Sequence, residues 1–302
     1  MYPLFPAFKP IELNDKPDIT PILAEYQPET SELTFTNLYI WRNHYGILWS
    51  KFQDWLLFLY TAQTESKSAL PPIGPAPRTD ICRKLLTWLH NEQGIANPYI
   101  DRADARLVEE LQNSPEFQIQ PIRDQFDYVY HTADLINLAG DKYHKKKNHL
   151  NKFSRSYSFR YEPMQEAYFE PCLQLADTWC LERRCVEDFG LAGEWDAIKD
   201  IIHHYPVLQP QLQGAVILID NQVAAFTFGE ILNAQTAVIH IEKVNPKIPE
   251  LYAVINQQYC ARAWQQIPFI NREQDLGEPG LRQAKLSYHP IRLVEKYQIQ
   301  LR

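Results

Sequence analysis

Three stretches of the chain concentrate side chains that can do chemistry. The first is Val238-Ile-His-Ile-Glu-Lys243. An extended backbone puts Val238, His240 and Glu242 on one face and Ile239 and Ile241 on the other. Glu230 sits on the strand expected just before. A carboxylate buried in such a place has a raised pKa and can take a proton as a general base. Glu242 and Glu230 are therefore candidate bases, and His240 a candidate substrate contact. The plainer reading is a half-exposed strand with an ordinary ion pair to Lys243.

The second stretch runs from Asn271 to Tyr288. Asn271, Arg272, Glu273 and Asp275 lead through Gly277 and Pro279-Gly280 into a short helix carrying Arg282 and Lys285. Backbone N–H groups at a helix start can receive an anion or a developing oxyanion. A charged loop with a capped helix is the alternative. The third stretch is basic. Residues 142–160 hold seven Lys and Arg and no carboxylate. On a helix, Lys142, Lys145, His149 and Lys152 share one broad face, and Lys147 and Asn151 lie a turn apart. With His144 and Asn148 they make a stripe suited to phosphate groups, such as an RNA backbone, a lipid head group or a cofactor phosphate. A solvated helix face is the competing reading.

The elements that must position these residues alternate. Leu33 to Trp41, Tyr45 to Ser50 and Trp55 to Ala62 read as strands rich in aromatics. Thr79 or Asp80 caps a helix to His90, with Ile81, Leu85, Leu86 and Leu89 on one face. Phe126 to His131 is another strand. Helices are expected over Met164 to Arg184 and Trp195 to His203. Gln213 to Asp220 and Gln222 to Ile231 form a hairpin whose turn, Asp220-Asn221, tolerates positive φ. Ala237 to Val244 is a third strand, followed by helices at Tyr252 to Gln265 and Gly280 to Ser287. This order predicts an α+β chain with two mixed sheets covered by helices.

Composition narrows the classes. With 302 residues the prior is two domains, and charge asymmetry places the division near residue 133. Residues 1–133 carry a net charge of −6 and residues 134–302 a net of −1. The total of −7 argues against a surface basic throughout. The longest strongly apolar run, Trp55 to Tyr60, is far short of the roughly 20 residues of a membrane span. No basic and then apolar leader is visible at Met1-Tyr-Pro-Leu-Phe-Pro. The five cysteines form no CxxC pair, so a reduced, cytoplasmic setting is expected and a metal site is not. Neither GxxxxGK[ST] nor GxGxxG occurs.

Taken in order, six blocks resemble one bacterial family. They are Thr36 to Arg42, Arg123 to Tyr130, Lys142 to Asn151, Phe226 to Glu230, His240 to Lys243 and Asn271 to Tyr288. The family is that of the phosphatidylglycerol lysyltransferase C-terminal domain. The resemblance implies two GNAT-type acyltransferase domains in tandem, as in the Fem aminoacyltransferases, here 1–133 and 134–302. It implies transfer of an aminoacyl group from aminoacyl-tRNA to an amine or hydroxyl. The segment Asp275-Leu-Gly to Gly280-Leu-Arg-Gln-Ala-Lys285 is similar to the D/E-x-G…GL…K segment of Fem-like transferases, which makes Lys285 the carried-over functional residue.

One departure concerns the donor. GNAT enzymes that use acetyl-CoA hold its pyrophosphate on a glycine-rich turn, and here that turn reads Asn245-Pro-Lys-Ile-Pro-Glu250. Proline lacks an N–H, so CoA fits this turn poorly. No cofactor is assigned; the expected donor is aminoacyl-tRNA or acyl-CoA, with CoA the poorer fit. The expectation is an acyl- or aminoacyltransferase acting on a small molecule or an aminoacyl-tRNA. The alternative is a non-catalytic protein of the same fold that binds an anion, nucleotide or RNA.

Overall fold

The computed structural model describes residues 2–61, 68–183 and 189–302. The chain divides into two compact units. One comprises Met1–Asp127, Gln274–Glu278 and Leu293–Arg302, the other Tyr128–Glu273 and Pro279–Arg292. The division expected after residue 133 is a single break. The observed one is not, because the last strand, Tyr297–Leu301, pairs between Tyr99–Ala103 and Phe117–Pro121 in the first unit's sheet. Sequence-local charge carries no trace of a pairing made by residues almost 200 positions apart.

The described residues form two mixed, mostly antiparallel seven-stranded sheets. The first has the order Lys9–Pro10, Leu48–Phe52, Trp55–Tyr60, Ser68–Ala69, Tyr99–Ala103, Tyr297–Leu301, Phe117–Pro121. The helix Thr79–Asn91 packs Ile81, Leu85, Leu86 and Leu89 into the core shared with Leu57, Leu59, Ile100 and Ile299. Its apolar spacing made that face legible. The second sheet has the order Arg292–Val294, Asp127–His131, Phe269–Asn271, Thr236–Val244, Gln222–Asn233, Leu212–Ile219, Phe159–Pro163. Its core brings Phe153, Ile217, Ala225 and Val244 against Leu251, Val254 and Ile255 of the helix Leu251–Ala263.

The hairpin turn is as read: Asp220 and Asn221 have φ of 51° and 62°, the pair of positive values that a tight two-residue turn requires. The expected strand from Leu33 to Trp41 is instead a helix, Phe35–Ile40. Its aromatic and β-branched composition favours a strand, but Thr34 caps it. The Thr34 hydroxyl accepts from the Asn37 N–H at 3.1 Å, and all six helical residues are buried, so capping and burial override propensity. Tyr45 closes a helical turn, Arg42–Tyr45, which Gly46 ends at φ 59°, and the strand begins at Leu48. The helix expected from Met164 begins at Phe169, after a short 3-10 turn, and Arg184 lies outside the described residues. The helix expected at Trp195 to His203 extends over Phe189–Leu208. Cys82, Cys172 and Cys260 are free and buried. Cys185 lies outside the described residues. Among the described residues no helix is long and apolar enough to cross a membrane.

Candidate functional site

The polar residues of the second unit gather around a defect in its sheet. The ladder between Gln222–Asn233 and Thr236–Val244 pairs Phe228 with Ile241 and then Gly229 with Ile239, so His240 is skipped. This is a bulge, which re-aims the extra side chain. Gly229 makes it possible: a Cβ there would come 2.4 Å from the Val238 carbonyl oxygen, closer than any side chain tolerates.

The re-aimed imidazole lies between two carboxylates. His240 Nε2 is 2.9 Å from Glu230 Oε1, and Nδ1 is 2.8 Å from Glu273 Oε1. The imidazole is 1% exposed. Burial alone would lower its pKa, but the hydrogen bonds to Glu230 and Glu273 outweigh it and raise the value to about 9. His240 is thus an imidazolium at neutral pH that donates to both neighbours. It has no lone pair for a metal, and among the described residues no group of three or more His, Cys, Asp or Glu can hold one.

Glu273 needs support, because it sits at φ 58°, an uncommon conformation outside glycine. Asn271, fully buried on the strand Phe269–Asn271, accepts the Glu273 N–H at 2.8 Å through Oδ1. The Lys285 ammonium, on the helix Pro279–Leu286, donates to the carbonyl oxygens of Arg272 and Glu273. Tyr130 in turn donates to the Lys285 carbonyl at 2.8 Å. Lys285 therefore ties down the kink that carries Glu273. Arg282 lies half-buried one turn earlier on the same helix.

Glu242 occupies a second polar group of the same unit. Arg272 Nη2 donates to its Oε1 at 3.1 Å. Its Oε2 has only a 3.5 Å contact with Asn256 Nδ2, the limit of a hydrogen bond. Asn256, 1% exposed on the helix Leu251–Ala263, leaves its own Oδ1 buried with no partner. Arg272 and Lys146 both lie over the Tyr288 ring, at 5.0 and 4.1 Å from its centroid. Burial raises the Tyr288 phenol to about 12, while Arg272 works against that. Burial, then the charge of Arg272, lowers the Lys146 ammonium to about 8. The ion pair expected at Lys243 is made with Glu194, at 2.7 Å.

Thus Glu230, His240 and Glu273 meet in one cluster, Glu242 and Arg272 in another, and Asn271 and Lys285 support the first. The basic stretch behaves differently. It forms the helix His144–Ser156 after a short turn containing Lys142. His144, Lys145, Lys147, Asn148, His149 and Asn151 are exposed. Lys142 pairs with Asp134 at 3.4 Å and Lys152 with Glu250. Asn148, Asn151, Lys152, Arg155 and Ser156 line a shallow open depression of about 320 Å³. Lys146, half-buried where Lys145 and Lys147 are exposed, faces Tyr288. A signal was present, because Lys146 shares a face with Leu150 and Phe153 at spacings of four and seven, and Phe153 is in the core. Asp275 belongs to the first unit. It is fully buried, accepts the Gly277 N–H at 2.9 Å and meets Arg123 at 3.3 Å. It shapes a turn whose Gly277 has φ 78°.

The profile of a family described as phosphatidylglycerol lysyltransferase, C-terminal, matches residues 23–300. A conserved protein of unknown function from Bacteroides thetaiotaomicron VPI-5482 is 32% identical in sequence. Its crystal structure superposes with a TM-score of 0.90 over 100% of both chains. The structure of L-PGS from Bacillus licheniformis has a TM-score of 0.59 at 14% identity, covering 85% of this chain and 86% of that one. FemX gives 0.57 at 7% identity over 97% and 96%. The last two likenesses are of fold alone.

Proposed function

The chain belongs to the phosphatidylglycerol lysyltransferase C-terminal family, and we propose on that basis that it is an acyl- or aminoacyltransferase. In this reading an amine or hydroxyl attacks the carbonyl of an activated ester. The new C–N or C–O bond forms, the ester C–O bond breaks, Glu242 takes the proton of the attacking group, and the departing oxygen takes up a proton and leaves as the alcohol. One observation carries the choice of Glu242. Its carboxylate is nearly buried, with one oxygen held by Arg272 and the other engaged only at 3.5 Å. Glu230, the other candidate base, spends its Oε1 on the His240 ring at 2.9 Å. Lys285 acts in this reading as a positioning residue, since its ammonium bonds two backbone carbonyls.

The donor in this proposal is aminoacyl-tRNA rather than acyl-CoA. The turn after the strand Thr236–Val244 has little to offer a pyrophosphate. Pro246 and Pro249 lack N–H groups. The Lys247 N–H donates to the Asn245 side chain, and the Ile248 and Leu251 N–H groups donate to Asn245 and Ile248 carbonyls. These residues do not fit CoA bound in the manner of acetyl-CoA-dependent relatives, and no step is assigned to it.

The test is transfer from a pool of tRNA charged with labelled amino acids to a panel of amine and hydroxyl acceptors, with acyl-CoA donors in parallel. Glu242→Gln should lower kcat by about 10²- to 10⁴-fold, the usual contribution of a positioned base, with an unchanged circular dichroism spectrum. Absence of transfer from every donor overturns the reading, and full activity in Glu242→Gln overturns the role of Glu242.

A further inference from the structure

Two cations of the second unit share one aromatic ring, and they are not equally matched. Arg272 reaches Glu242 on one side and the Tyr288 ring on the other. Lys146 lies 4.1 Å from the centroid of the same ring. Among the described residues, nothing accepts a hydrogen bond from the Lys146 ammonium or forms an ion pair with it. The placement is set by the helix His144–Ser156, which turns Lys146 to the side of Leu150 and Phe153, while its neighbours Lys145 and Lys147 are exposed. A half-buried ammonium beside a guanidinium is unfavourable unless an anion joins them. The charge count of the group is two positive and one negative, so one negative charge completes it.

We propose that Lys146 and Arg272, over the face of Tyr288, form a subsite for a phosphoryl group. Oxygens arranged on a tetrahedron can bridge a compact ammonium and a planar guanidinium that approach from different elements. A flat carboxylate instead pairs best with a single guanidinium fork. The subsite goes beyond the transfer reading and does not require it. A phosphodiester of RNA and a phosphate ester of a small molecule offer the same chemistry.

The experiment uses the full chain with its lysines labelled as carbon-13 dimethyl groups. It is titrated with inorganic pyrophosphate, with a dinucleotide phosphodiester and with acetate, each followed by NMR and calorimetry. The resonance missing from Lys146→Ala identifies Lys146. Phosphoryl binding should move its titration midpoint from about 8 toward 10.5, since an adjoining anion favours the charged form. Lys146→Ala should weaken pyrophosphate binding by about tenfold or more, the value of one charge-assisted hydrogen bond, and Lys146→Arg should retain it. Lys145→Ala and Lys147→Ala should change it by less than about twofold. Binding of the dinucleotide alone identifies RNA as the source, and binding of pyrophosphate alone identifies a small phosphate. The proposal is overturned if neither binds, if acetate binds as tightly, or if the exposed lysines matter as much as Lys146. A wild-type Lys146 resonance that does not respond overturns it without reference to any variant.

Discussion

Each unit buries a cluster of charged side chains, and the two clusters differ in how completely they are satisfied. In the first unit Lys296 is 0% exposed. Its ammonium meets Glu32 Oε1 and Oε2 at 2.7 and 2.8 Å, Asp127 Oδ1 at 2.6 Å and Ser31 Oγ at 3.4 Å. Ser31 closes the ring by donating its N–H and hydroxyl to Asp127 at 2.8 and 3.0 Å. Arg102 meets Glu32 at 3.1 Å and lies over the rings of Tyr45 and Tyr60. Burial would raise the Glu32 carboxyl, but Lys296 and Arg102 outweigh it and hold the value below the ordinary one. Two cations here face two fully engaged carboxylates, and the buried Arg102 Nε, 3.7 Å from Asp101, is left without a hydrogen bond. In the second unit the Glu242 Oε2, the Asn256 Oδ1 and the Lys146 ammonium all have capacity unspent on the protein. Burial of charge therefore does not mark a functional site by itself. A closed network ties strands together, while a network with unused donors and acceptors is built to meet something else.

The largest expected effect lies in the closed network. Lys296→Met leaves Asp127 buried without its cation and Glu32 with Arg102 alone, which costs about 3–5 kcal/mol. Urea unfolding followed by circular dichroism measures it. A loss below about 1 kcal/mol would mean that the first cluster is as adaptable as the second, and the contrast would fail.

The next effect is a pH dependence that belongs to the second unit. The His240 pKa is raised in the folded chain from 6.5 to about 9. The stability it contributes is fully present below pH 6.5 and is lost as pH rises through about 9. The shift corresponds to roughly 3 kcal/mol. Denaturant midpoints collected from pH 6 to 10 should decline for the wild type and decline less for His240→Gln. Equal declines would assign the dependence to groups other than the imidazolium.

The two clusters were also unequally legible in the sequence. The hairpin at Asp220-Asn221 and the amphipathic helix Thr79–Asn91 follow from local chemistry, and both formed. Glu230 and His240 were readable together because they lie only ten positions apart on antiparallel neighbouring strands. The partnership of His240 with Glu273 spans 33 positions, and the pairing of Lys296 with Glu32 spans 264. Loop closure of that length leaves no local pattern, so the first unit's cluster went unseen. The bulge that aims His240 depends on a backbone approach at Gly229, which no periodicity predicts. The strand expected at Leu33 to Trp41 is a helix for the opposite reason, because a local cap at Thr34 outweighs the aromatic content.

The smallest expected effect tests the border of the second cluster. Lys142 and Lys146 stand four residues apart in the same basic stretch and carry the same charge. Lys142 is 49% exposed in its side chain, and its partner Asp134 is 37% exposed. At 3.4 Å and in contact with water, that pair gains little from attraction and loses side-chain entropy, so Lys142→Ala should change stability by less than about 0.5 kcal/mol. Salt should abolish even this change, since exposed pairs are screened within about 10 Å at 0.1 M ionic strength. Parallel urea titrations of the two proteins at low and high salt provide the measurement. A larger, salt-resistant loss would mean that the basic stretch is integral to the folded unit along its whole length. Lys146 would then lose its distinction from its neighbours, and the division between an exposed basic face and one inward-turned cation would have to be redrawn.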